Sequence, residues 1–167
     1  GQNPLLLHGT IRENITLGKQ DVSDEAINNV LESSFAAEFV HQHGLDYPIS
    51  DRSGGLSVGQ AQRLALARAM LQDGQFWLLD EPTASLDAHS ERLVTEGLNK
   101  QIDGKSALIV THQLAPLQNV DQILVMQDGQ IVQTGEFAAL ANQQGLFQEM
   151  LSANQALQQH NEGSLDA

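Results

Sequence analysis

An α/β fold with a buried, mostly parallel sheet follows from three observations. Two continuous apolar runs, Phe76-Trp77-Leu78-Leu79 and Ala107-Leu108-Ile109-Val110, alternate with amphipathic helical stretches, the pattern of strands covered by crossover helices. Turn residues punctuate the runs, with Gly104 before the second and Asp128-Gly129 further on. The 167 residues are 41% hydrophobic and 17% charged, enough apolar material for one domain with a real core.

Residues 1–60 read as mostly helical. Ser23 is the N-cap of a helix on which Ile27, Val30, Leu31, Phe35 and Phe39 fall close to helical spacing. Asp24 and Glu25 in its first turn suit the helix dipole. His41 to Gly55 is rich in Gly, Pro, Asp and Ser and reads as loop. Ser57 opens a helix to about Leu71, followed by the strand Phe76–Leu79. Asp87 caps a helix to about Ile102, Gly104 stops it, and the strand Ala107–Val110 follows. Residues 122–126 and 130–133 flank Asp128-Gly129, a hairpin signal because both turn positions need positive φ. Helical segments around 136–142 and 145–159 precede a polar tail expected to fray. No internal repeat is present. The chain begins at Gly1, without methionine and in the middle of a segment that reads as structured, which predicts a fragment of a longer protein.

Composition narrows the function. Eight Lys and Arg against 21 Asp and Glu give a net charge of −13, which makes nucleic acid a poor partner. The longest apolar runs are about four residues, far short of the ~20 that span a bilayer. No basic-then-apolar N-terminal segment reads as a signal peptide. With zero cysteines, disulfides, thiolate zinc sites and cysteine nucleophiles are excluded.

Two segments bear on phosphate binding by a P-loop, and neither fits. Gly104-Lys105-Ser106 ends like a P-loop, but the first glycine would have to be Asn99, and the triplet precedes a strand when a P-loop must open a helix. Gly18-Lys19 fails too, with Glu13 in the glycine's place. Leu56-Ser57-Val58-Gly59-Gln60 contains a capping box, Ser57 with Gln60, and on its own is simply a well-capped helix start. The same residues also offer free helix N–H groups to an anion, with Gly59 allowing close approach.

Asp80 and Glu81 follow an apolar strand directly, at the edge where open α/β sheets bind ligands. Asp80 suits Mg²⁺, which takes one or two carboxylates and keeps waters. Glu81 suits a general base acting on water. Taken alone, the pair is also readable as an acidic strand end before the Pro82 turn. His112 ends the next strand and can reach the same edge, although a lone histidine is more often structural. His41-x-His43 lacks a third ligand.

The order and spacing of these segments carry more than each one alone. Leu56–Gln60, Leu78-Leu79-Asp80-Glu81-Pro82, Ala84-Ser85-Leu86-Asp87 and Thr111-His112 together resemble the ATP-binding-cassette ATPases. Gln2-Asn3-Pro4 and Gly9-Thr10-Ile11-Arg12-Glu13-Asn14-Ile15 are similar to the Q-loop region of exporter-type cassettes, so the resemblance covers residues 2 to about 150. Stretches such as Ser85-Leu86-Asp87-Ala88-His89-Ser90-Glu91 and Thr111-His112-Gln113-Leu114 most resemble one subunit type of the heterodimeric thiol-reductant exporters, which move cysteine or glutathione for cytochrome bd assembly.

The resemblance implies a partial P-loop NTPase (RecA-like) parallel sheet core plus an α-helical subdomain, without the P-loop portion. It divides the chain into a Q-loop segment (1–9), a helical subdomain with the signature (10–71), the C-terminal part of the ATPase core (72–160) and a tail (161–167). It implies ATP and Mg²⁺ as cofactors. Gln2 and Asp80 would meet the metal, and Glu81 would activate water with His112 as the switch histidine. Leu56, Ser57, Val58, Gly59 and Gln60 would contact ATP held by the opposite subunit, and Asp87 would belong to the D-loop at the dimer interface. Implied partners are the transporter's own transmembrane domain, docked on residues 10–60, and a second nucleotide-binding subunit, at the cytoplasmic face of the bacterial inner membrane.

Three departures stand out. Val58 replaces the usual signature glycine, Asp51-Arg52-Ser53 stands where exporters carry Glu-Arg-Gly, and the P-loop with its adenine-stacking aromatic is missing. The chain alone is therefore expected neither to bind MgATP well nor to hydrolyse it, and strands lacking their neighbours are expected to self-associate. A soluble cassette ATPase working on DNA or ribosomes is disfavoured by the exporter-like segment and the acidic balance. A non-catalytic regulatory module is disfavoured by the presence of both Glu81 and His112.

Overall fold

The computed structural model describes residues 6–50 and 55–162. The chain divides between Thr111 and His112 into two compact units. The first holds β1 (Gly9–Thr10), α1 (Ile11–Thr16), α2 (Asp24–Ser33), α3 (Ala37–His43), β2 (Pro48–Ile49), α4 (Val58–Gln72), β3 (Phe76–Asp80), α5 (Ala88–Ile102) and β4 (Ser106–Val110).

Local signals start its helices. Thr10 caps α1 in a capping box, its hydroxyl accepting from the Glu13 N–H while the Glu13 carboxylate accepts from the Thr10 N–H. Ser23 caps α2 through the Ala26 N–H. Asn14 is buried yet satisfied: its side chain accepts from the Leu7 N–H and donates to the Leu7 and Thr10 carbonyls.

The single helix expected from Ser23 through Phe39 is two. Phe35 has φ 58°, the Phe35 N–H donates to the Glu32 carbonyl and the Ala36 N–H to the Leu31 carbonyl. That is a Schellman stop, with phenylalanine where glycine is usual. The expected loop from His41 to Gly55 likewise contains the end of α3 and the short strand β2, antiparallel to β1.

β3, α5 and β4 form one crossover unit. β3 and β4 are parallel, in register from Phe76 opposite Ser106 to Asp80 opposite Val110. Trp77 and Leu79 enter the same core as Ile11, Ile15, Ile27, Leu31, Leu64, Val94 and Leu98. The expectation that β3 is buried throughout does not hold. Phe76 is 65% and Leu78 68% exposed, because among the described residues the helices cover only one face of the pair. α5 and α2 cross so closely that a Cβ on Gly97 would collide with the Ser33 carbonyl.

The second unit holds a 3₁₀ turn (Ala115–Asn119), β5 (Ile123–Gln127), β6 (Gln130–Gly135), α6 (Phe137–Asn142) and α7 (Leu146–Glu162). Asp128 and Gly129 both have positive φ, 50° and 77°, and join β5 to β6 as the expected hairpin. Leu114, Ile123, Val125, Leu140 and Phe147 form its core. Among the described residues no helix is long and apolar enough to cross a membrane.

Candidate functional site

The end of β3 places the carboxylates. Strand alternation turns Leu79 into the core and leaves Asp80 exposed on the face that carries Phe76 and Leu78. The chain then leaves the strand at Glu81 with φ 47°, a left-handed conformation that a non-glycine residue keeps only when its surroundings hold it. Both backbone groups of Glu81 are held. Its N–H donates to the Val110 carbonyl at 2.8 Å, so the β3–β4 ladder continues one residue past the strand. Its carbonyl accepts from Gln62 Nε2 at 2.8 Å and, more weakly, from the Ala84 N–H at 3.3 Å. The Thr111 hydroxyl lies 3.5 Å from a carboxylate oxygen of Glu81, too long for a firm hydrogen bond.

The N-terminal end of α4 is built by the predicted capping box. Ser57 Oγ accepts from the Gln60 N–H at 3.1 Å, and Gln60 Oε1 accepts from the Ser57 N–H at 2.9 Å. Both side chains are thus committed to the cap. The cap leaves the first-turn amides of Val58 and Gly59 without intrahelical partners, as at any helix start. Val58 is exposed, whereas Leu56 is buried and packs into the core. Gly59 has a reason beyond access to an anion: a Cβ there would lie 3.2 Å from the Ser85 carbonyl oxygen and 3.5 Å from Leu86. The helix start and the turn after Glu81 are therefore in close contact.

That turn ends at Asp87, the N-cap of α5. One carboxylate oxygen accepts from the His89 and Ser90 N–H groups, and the other from the Ser90 hydroxyl at 2.7 Å. These bonds, the Ser90 hydroxyl first, hold its pKa down at about 2. On α4, Arg63 lies 5.8 and 5.4 Å from the centres of the Phe35 and Phe39 rings and donates to the Phe35 carbonyl, securing the stop of α2. Burial pulls its pKa down, with Asp87 and Glu38 opposing.

The structure thus brings Asp80, Glu81, the start of α4 and Asp87 together in the first unit. His112 is the first residue of the second unit and is exposed. Gln2 and the Asp51-Arg52-Ser53 stretch lie outside the described residues. Among the described residues no three His, Asp or Glu side chains converge on a metal position. Lys105 of the P-loop look-alike is occupied in a different way: it pairs with Asp73 and sits over the Trp77 ring. Sequence reasoning missed Gln62 and Arg63. Their only signal is that each is polar on a helix whose neighbouring positions, Ala61 and Leu64, are core.

A parallel strand pair ending in adjacent carboxylates, with a capped helix start packed on the following turn, lies at the carboxyl ends of the strands, the edge where open α/β sheets bind ligands. The family model described as ABC transporter matches residues 1–84, half of the chain, and the chain belongs to that family. It is 52% identical over 155 residues to the glutathione/L-cysteine transport system ATP-binding/permease protein CydD of Haemophilus influenzae and 45% identical to that of Escherichia coli, in each case over 93% of this chain. It is 40% identical to an ATP-dependent lipid A-core flippase of Xylella fastidiosa. The chain spans about a quarter of the length of these relatives, 26%, 27% and 26% respectively. A solved bacterial Atm1-family ABC exporter with ATP bound superposes with a TM-score of 0.86 at 27% identity, over 93% of this chain and 28% of that one.

Proposed function

We propose that this chain is part of the ATP-hydrolysing cassette of a bacterial exporter, and that the exporter moves glutathione or cysteine. The observation that carries the enzymatic half is the pinned Asp80-Glu81 pair at the end of β3, against the start of α4. The step from 40% identity with a lipid flippase to 52% and 45% with two thiol exporters supports the solute class.

Asp80, exposed at the strand end, fits an ion that keeps most of its waters and takes few carboxylates, as Mg²⁺ does. Bound there with Gln2 as the second contact, Mg²⁺ would supply charge neutralisation for a phosphoryl group. Glu81 takes the proton of an attacking water, and His112 completes the machinery. Ser57, Gly59 and Gln60 present the helix start to phosphate held by a second cassette, an interface that Asp87 shares. Residues 10–60 dock on the membrane domain at the cytoplasmic face of the inner membrane.

The residues present do not make a triphosphate cradle. Neither Gly-Lys pair has the spacing, and Lys105 is engaged with Asp73. Titration calorimetry of the chain with MgATP is expected to give no binding. Tight binding by the chain alone would overturn the assignment of roles. A replacement graft tests the rest: these residues, put in place of the matching segment of the Escherichia coli relative, should support ATP-driven glutathione uptake into inverted vesicles. Uptake should be lost with Glu81→Gln. Equal function after grafting into the lipid A-core flippase would remove the case for a thiol exporter.

A further inference from the structure

Glu81 poses a question that its own sequence neighbourhood does not answer. The left-handed region is costly for a residue with a Cβ, and here it is occupied by the residue after a strand, followed by Pro82, whose ring restricts Glu81 further. Something outside the strand has to hold it. β4 holds the N–H side through the Val110 carbonyl. The carbonyl side is held by Gln62, nineteen residues earlier, on the second turn of α4.

The bond also fixes which way the Gln62 amide points. With a carbonyl as its partner at 2.8 Å, Gln62 must present Nε2, and its Oε1 is then left buried without a hydrogen-bond partner. A buried acceptor left unpaired is unfavourable, so the local packing retains Gln62 for its donor. Gly59, one turn earlier on the same helix, lets that helix approach the Ser85 carbonyl closely. α4 therefore touches the Glu81–Asp87 turn at both ends, through Gln62 at Glu81 and Gly59 at Ser85.

We propose that Gln62 is a positioning residue for Glu81: its side-chain N–H locks the Glu81 peptide in the left-handed conformation and ties the carboxylate's location to α4. The catalytic consequence rests on the role proposed for Glu81 above, whereas the tie itself does not. A shift of α4 along its axis carries the Glu81 carbonyl with it, so the helix start and the water-activating group move as one body.

Nuclear magnetic resonance on the full chain tests the tie. A strong NOE between the Glu81 amide proton and its own Hα reports positive φ, and one Gln62 side-chain N–H should exchange slowly. In Gln62→Met, similar in length but without a donor, the strong NOE should be lost; in Gln62→Lys, which restores a donor, it should return. An unchanged NOE in Gln62→Met, or its absence from the wild type, overturns the proposal. Should Gln62→Met fail to fold, the wild type decides through the scalar coupling across the hydrogen bond from Gln62 Nε2 to the Glu81 carbonyl carbon: a measurable coupling supports the tie, and none refutes it. In the grafted transporter Gln62→Met should lower kcat of ATP hydrolysis and leave KM unchanged. A graft inactive with Gln62 intact, beside a chain that passes the resonance tests, would remove the role of Glu81 and leave the tie standing.

Discussion

The helices α1, α2 and α4 and the strand pair β3–β4 contribute apolar residues to one core and are finished very differently. Ile11, Ile15, Ile27, Leu31 and Leu64 are wholly enclosed, and the Asn14 side chain buried beside them is satisfied through both Nδ2 and Oδ1. The strands enclose Trp77 and Leu79 but leave Phe76, Leu78, Leu108 and Val110 on an open face. A helix satisfies its own backbone and needs one stripe covered. A strand in a parallel sheet has two apolar faces to cover and open edges to pair. The difference locates the enclosed apolar surface of the first unit in its helical part and the open apolar surface in its sheet.

The largest effect should separate the two regions directly. Leu64→Ala is expected to cost about 3 kcal/mol in urea unfolding, the usual loss for an enclosed leucine. Leu78→Ala, on the open face, should stay within about 0.5 kcal/mol. Similar costs for both would break the comparison, and would mean that Leu78 is covered in solution by another copy. Light scattering that rises with concentration would then identify self-association as the cover. A clean monomer over a wide concentration range, with Leu78→Ala nearly neutral, would confirm an open face.

The seam between the regions comes next. α5, the crossover of the strand pair, touches α2 through Gly97, where a Cβ has no room beside the Ser33 carbonyl. Gly97→Ala should cost about 2 kcal/mol by forcing the two helices apart. A neutral result in the same unfolding measurement would show that the helical region and the sheet are joined more loosely than their contact distance implies.

What was legible in the sequence follows the same division. Capping residues act locally, so Ser23, Ser57 and Asp87 were readable as helix starts, and Asp128-Gly129 as a hairpin. The split of the second helix was hidden because its stop uses Phe35 in place of glycine. Its support, the Arg63 side chain, comes from a helix 28 residues on. The continuous apolar strands predicted burial on both faces, a statement about what packs on them and therefore about residues far away in sequence. At the site, Asp80 and Glu81 were visible as a pair because they are adjacent. The backbone twist of Glu81 and its bond to Gln62 were not, since nothing in Glu-Pro alone selects a left-handed glutamate. Gly59 was read as access to an anion, but it also lets α4 lie close to the Ser85 carbonyl, where a Cβ would be crowded.

The smallest effect concerns the cap that starts the crossover helix α5, and its sign follows from the carboxylate at Asp87. Its folded pKa, about 2, lies below the ordinary 3.8 because the Ser90 hydroxyl and the Ser90 and His89 N–H groups bond the charged form. A carboxylate held down in this way stabilises the fold fully above the unfolded value, and that contribution fades as pH falls toward 2. Asp87→Asn keeps an acceptor for the cap but does not titrate. The wild type's advantage over Asp87→Asn in urea midpoint should therefore be constant above about pH 5 and shrink as pH falls below about 4. Asp73, held down by its bond to Lys105, titrates in both chains and cancels from the comparison. Parallel curves for the two chains down to pH 2 would mean that the cap works through geometry alone, and that the charge on Asp87 is free for whatever faces it across the turn.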